Sequence, residues 1–238
     1  MRTQTNWLRV LPWMTAFAVA MAFLESAVVI YLRQLYYPKA FAFPVAPIDP
    51  HIAVTELLRE LATMVMLLAP GALLTSKRLE RFAWFCFCFG VWDIFYYVFL
   101  KAILDWPLSL FDWDILFLVP VVWVGPVLAP ILVSLGLIAF GCIALYRRRA
   151  DPSFRIARWQ WAFLTASGAL ILFTFVEEPC RYVLQAAGSK RLSALPQAGH
   201  MALDSLRDYL PEQYSWGIFC LAASLAVIVL TSLLRRRS

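Results

Sequence analysis

The sequence predicts an all-α fold: a polytopic membrane bundle of six transmembrane helices, with a short re-entrant or interfacial helix between spans 3 and 4. Three observations predict it. Hydrophobic residues make up 62% of the chain and charged residues 15%, where a soluble domain carries roughly 45–50% and about 25%. Apolar runs near the roughly 20 residues that cross a bilayer recur at about 12–32, 54–74, 82–100, 126–146, 159–183 and 214–234. Lysines and arginines gather at alternate ends of these runs. The runs leave no room for a separate soluble unit, so residues 1–238 read as a single integral membrane domain.

Span 1 runs from about Pro12 to Leu32. Arg2 and Arg9 ahead of an apolar stretch, with Ala18-Val19-Ala20 behind, imitate a cleavable signal. The run continues past Glu25, longer than a signal core, which predicts a retained span. Glu25 and Arg33 share a helix face within about 80°, together with Ala18 and Ala22, which are small enough for close helix contact. The following loop, Leu35 to Ile52, carries Pro38, Pro44, Pro47 and Pro50 and is expected to lie extended along the membrane surface.

Span 2 is announced by Asp49 as a cap and Pro50 at the first helical position. Glu56, Arg59, Glu60 and Thr63 fall on one stripe of its helix. Two carboxylates one turn apart with a single arginine leave a net negative site. A cation, a second arginine or a bound proton must balance it.

Span 3 lines one face with Cys86, Gly90, Asp93 and Tyr97, and Asp93 stands in mid-span with no cation near it in sequence. The expected short helix covers Leu108 to Val119, capped by Ser109 or Asp112, before Pro120, Pro126 and Pro130. Trp106, Trp113 and Trp123 fit an interfacial belt. Span 4 ends in Arg147-Arg148-Arg149. Span 5 places Ser167, Thr174, Glu177 and Arg181 within about 80° of one another, with Glu178 pointing elsewhere. Between it and span 6, Ala198 to Leu210 reads as an amphipathic helix.

Thirteen of the 21 basic residues (Arg2 and Arg9, Lys77 to Arg81, Arg147 to Arg158, Arg235 to Arg237) fall on one side of this six-span arrangement. The positive-inside rule then predicts a bacterial-type inner membrane with both termini cytoplasmic. Arg33, Glu56, Arg59, Glu60, Glu177 and Arg181 map to the outer half, with Glu25 and Asp93 deeper. Ionisable groups at membrane depth are costly and face protein or water. Their convergence predicts an outward-open polar cavity that binds or passes a small ion, proton or polar solute. Glu25, Glu56, Glu60 and Asp93 would be its ligands, and Arg33, Arg59, Glu177 and Arg181 its charge-pairing groups. The bland alternative is that the same pairs only fix helix packing.

Two further readings stand beside this one. The chain could be a non-catalytic subunit or assembly factor docking a membrane or periplasmic protein, or a membrane enzyme acting on a lipid or quinone through Asp112, Asp114 or His200. Catalytic residues are unassigned, and the enzyme reading is the least supported, since no nucleophile–base spacing occurs. The basic runs sit beside apolar spans, which points to the lipid bilayer and not to nucleic acid. No metal site and no cofactor are expected: neither histidine, His51 or His200, lies inside a span to hold haem, and the carboxylates lack the Glu-x-x-His of bundle metal sites. Walker and Gly-x-Ser-x-Gly motifs are missing. The five cysteines all lie in or at the ends of apolar runs, as buried thiols would.

Overall fold

A computed structural model describes residues 7–37, 41–46, 49–118, 121–188 and 208–235. The protein is mostly helical, with α1 Trp7–Tyr36, α2 Pro50–Leu74, α3 Arg78–Leu104, α4 Leu128–Ala150, α5 Arg158–Gly188 and α6 Trp216–Arg235. All six contain stretches long and apolar enough to cross a membrane. Contacts between their ends show that the helices alternate in direction. Glu80 at the start of α3 pairs with Arg148 at the end of α4. Arg147 donates to the carbonyl of Leu233 at the end of α6, and Gln160 at the start of α5 donates to Ser232. One end of the bundle is therefore rich in arginine, and the opposite end carries the connection from α3 to α4.

Helix α3 is the hub. It is apolar nearly all round, as a helix enclosed by others must be, and packs against α1, α2 and α4. Small residues set the α3–α4 distance. A Cβ on Gly141 would stand 2.6 Å from the Ala83 carbonyl oxygen, and one on Gly90 2.5 Å from that of Ser134. Helices α5 and α6 form a second pair, with α6 against α4. The largest apolar cluster lies toward the arginine-rich end and draws on α1, α2, α3, α4 and α6. All five cysteines are free thiols; Cys86 and Cys88 are buried, whereas Cys220 faces outward.

The α3–α4 connection corrects one expectation. Leu108 to Val119 does not form a helix over its described part. Asp105, at φ 51°, ends α3. Asp112 then accepts the Leu108 and Ser109 amides at 2.8 and 3.1 Å, closing a capped turn. The chain continues as strand β1, Trp113–Phe117, paired antiparallel with β2, Trp123–Pro126. Trp113 faces Pro126 and Ile115 faces Val124, with an irregularity between Ile115 and Phe117. Asp112 spends its side chain on the turn and the next residues are aromatic and branched, which favours a strand. Paired strands satisfy each other's amides, a requirement for any non-helical backbone packed among apolar helices. Val127 and Leu128 donate back to the carbonyls of Asp112 and Leu110, tying the end of β2 to that turn.

Other expectations fare differently. Asp49 caps α2 by accepting the His51 amide at 2.8 Å, with Pro50 as first residue. The aromatic loop after α1 folds over the bundle end, where Phe41 meets Trp106 edge-on and Phe43 meets Tyr209. The expected helix from Ala198 falls largely outside the described residues, as does His200.

Candidate functional site

Three helices and the hairpin bring their charges together near the hairpin end. On α1, Ala18, Ala22, Glu25 and Arg33 are all buried, the face predicted by their spacing. On α2, Arg59 bridges two acids: it pairs with Glu25 of α1 and with Glu56 of its own helix, the latter through Nε at 2.9 Å. The Thr63 hydroxyl donates to Glu25 at 3.0 Å. Glu60, one turn from Glu56, accepts the Leu118 amide beyond β1 on both carboxylate oxygens, at 3.1 and 2.9 Å. The stripe read from α2 thus faces two ways, toward α1 and toward the hairpin.

A second ion pair closes the hairpin onto α1. Arg33 donates to Asp114 at 2.9 Å, and the two side chains are only 8% and 2% exposed. The guanidinium also lies over Trp106 at 3.8 Å and Phe41 at 4.4 Å, a desolvated cation–π clasp. Asp114 accepts the Ile115 amide as well, at 2.9 Å. Burial pushes the Asp114 carboxyl above its ordinary range; Arg33, the Ile115 amide and the Tyr97 hydroxyl each oppose that shift. The pairing is one-toothed: Arg33 Nη1 and Asp114 Oδ2 are buried without a hydrogen-bond partner among the described residues.

Asp93 occupies a third position. It is buried near the middle of α3 and accepts the Ser134 hydroxyl of α4 at 2.8 Å. No ion pair engages it among the described residues. Tyr96 and Tyr97 follow Asp93 on α3. Tyr96 lies in the fields of Asp114, Arg33, Glu25 and Arg59, and Tyr97 in those of Asp114 and Asp93. The first two positions meet on α1 through Glu25 and Arg33, Asp93 stands apart on α3, and Glu56 and Arg59 are the part-exposed members.

Of the expected ligands, Glu25 and Glu56 meet at Arg59, Glu60 holds the hairpin, and Asp93 sits apart with Ser134. Arg33 and Arg59 pair within this region. Glu177 and Arg181 do not join it. They pair with each other on α5, and Glu177 accepts the Ser215 hydroxyl at 3.1 Å, next to the start of α6. Glu178 points elsewhere, as its spacing predicts, accepting the Tyr209 hydroxyl and the Glu212 amide. The face shared by Ser167 and Thr174 is real, but it meets α6: Ser167 donates to the Ala222 carbonyl and Thr174 meets the Tyr214 hydroxyl. Asp112 is spent on its own turn.

Sequence reasoning missed Ser134, Tyr96, the Leu118 amide and the Phe41–Trp106 clasp. A lone hydroxyl in the first half of an apolar span was the available signal for Ser134. Nothing in the sequence links Arg33 to Asp114, 81 residues away. No three His, Cys, Asp or Glu side chains converge to hold a metal ion among the described residues.

Comparison with known protein families, with curated proteins and with solved structures finds no match to this chain.

Proposed function

We propose that this chain is an inner-membrane protein, both termini cytoplasmic, whose polar site beneath the outer face binds or passes a small ion, a proton or a polar solute. One observation carries the reading. Glu25, Glu56, Glu60, Asp93 and Asp114 lie at separate points toward the hairpin end of the bundle, and among the described residues Arg33 and Arg59 are the cations paired with them. Packing alone would be served by matched pairs, because each unmatched buried charge costs several kcal/mol. An acidic excess supports a cation or proton as the missing partner, entering past Glu56 and Arg59. The distribution of Lys and Arg supports the orientation. Binding of sodium, potassium or protons to the purified full chain tests it: Asp93→Asn is expected to weaken binding at least tenfold, and unchanged values would overturn the assignment of Asp93.

A second reading, a membrane subunit docking a partner, draws on one feature. A shallow apolar groove of about 820 Å³ runs along the exposed side of α1 past Pro12, Thr15, Ala16, Val19, Ala20 and Phe23. Small residues one turn apart let a second helix approach closely. Co-purification in mild detergent separates the readings; a lone chain would count against this one.

A further inference from the structure

We propose that the cation this site takes is a proton, held on Asp93, and that the proton does not pass to the arginine-rich end. The inference rests on the ion- or solute-binding reading above and narrows its ligand. The carboxylates are dispersed, each already engaged by a protein donor: Glu25 by Thr63, Glu60 by the Leu118 amide, Asp114 by Arg33, Asp93 by Ser134. A metal cation needs several oxygens converging at roughly 2.0–2.6 Å. A proton needs one oxygen at a time. Ser134 occupies Oδ2 of Asp93, leaving Oδ1 to receive the proton. Hydronium from the hairpin end gives its proton to Oδ1 and departs as water, and the carboxylate becomes a neutral acid.

The surroundings of Asp93 fit that step. From the hairpin, Asp114 bears on it, itself held by Arg33 of α1; on α3, Asp93 in turn bears on Tyr97; α4 offers the uncharged Ser134. Glu25 of α1 and Arg59 of α2 act on Tyr96 beside it. Among the described residues no guanidinium pairs with Asp93 to compete with the proton. Beyond the site, each helix turns apolar within a turn or two: Met21 on α1, Leu67 on α2, Cys86 and Phe87 on α3, Phe140 on α4, all buried in one cluster. That apolar cluster separates the site from the arginine-rich end, so in this proposal the proton arrives and leaves on the hairpin side.

Infrared difference spectroscopy of the purified full chain, taken between alkaline and acidic pH, tests the assignment. The wild type is expected to develop the carbonyl band of a protonated carboxylic acid, absent in Asp93→Asn and retained in Glu178→Gln, an acid on α5 outside the site. Ser134→Ala, which keeps the carboxyl but removes its donor, is expected to shift that band, so the test survives if Asp93→Asn fails to fold. Vesicles under an imposed pH gradient with potassium and valinomycin are expected to show no proton flux above protein-free vesicles. A band unaffected by both variants, or sustained flux abolished by Asp93→Asn, would overturn the proposal. Stabilisation by sodium or potassium with no Asp93 band would sink the proton but keep the ion-binding site; response to neither pH nor cations would sink both.

Discussion

Gly90 and Ser134 are in backbone contact: a Cβ on Gly90 would stand 2.5 Å from the Ser134 carbonyl oxygen and 2.8 Å from Ile138. The hydroxyl of that same serine holds Asp93, so the close approach of α3 and α4 is what brings the buried acid its donor. Gly90→Ala is expected to force the helices apart and to destabilise the bundle by about 1–3 kcal/mol, the usual cost of overpacking. Gly136→Ala, at a position on α4 with open space around it, is the control. It should be neutral or stabilising by up to about 1 kcal/mol, because alanine favours the helix. Unfolding in mixed micelles reads both; equal effects would show that the contact does not limit the interface.

The Arg33–Asp114 pair should behave as a buried pair and not as a surface one. Removing the guanidinium in Arg33→Met leaves a nearly inaccessible carboxylate without its cation, with an expected loss of about 3–5 kcal/mol. Replacing both, Arg33→Met with Asp114→Leu, should recover most of that loss, since an apolar pair of similar volume escapes the desolvation cost. Unfolding measurements on the two single variants and the double variant form the cycle. Additive losses would mean that the two residues do not depend on each other.

Strong acid should loosen the α4–α5 turn. Asp151 accepts both the hydroxyl and the amide of Ser153, at 2.6 and 2.8 Å. These bonds, the hydroxyl's foremost, hold its carboxyl below the ordinary range. A depressed carboxylate stabilises above its free value of about 3.9 and loses that contribution as pH falls through the folded value. Exchange of the Ser153 amide is expected to speed up in that acid window, relative to neighbouring amides, and Asp151→Asn should flatten the change. Identical profiles for the two proteins would refute it.

Much of the fold was legible because it follows from local rules. Length and hydropathy mark six helices, and Asp49-Pro50 marks the start of α2 within a few residues. Faces were legible too on α1, where the spacing of Ala18, Ala22, Glu25 and Arg33 anticipates which side is buried, whereas α3 is buried nearly all round. Partners across helices were not, because helical periodicity fixes direction and says nothing of the neighbour. Glu177 and Arg181 share the predicted face with Thr174, yet that face meets α6. The hairpin was hidden for another reason. Its apolar run lies beside the prolines that end it, and short apolar runs do not distinguish strand from buried helix by period alone.

Glu60 gives the hairpin its hold on α2, which makes it the test of whether non-helical backbone belongs to the site. The Leu118 amide lies just past the end of β1, and among the described residues both oxygens of Glu60 receive it. Glu60→Ala removes the acceptor and leaves a part-buried amide unsatisfied, at a cost of about 1–3 kcal/mol. Glu60→Gln keeps one acceptor oxygen without the charge and should fall between that variant and the wild type. Exchange of the Leu118 amide is expected to quicken in the order wild type, Gln, Ala, while the Ser153 amide at the other end of the bundle is unmoved. If the hairpin helps to close the polar region, ligand or proton release should quicken in the same order. Faster Leu118 exchange with unchanged release would make the contact a fastening for the hairpin alone, because the region would then keep its ligand with its cover loosened.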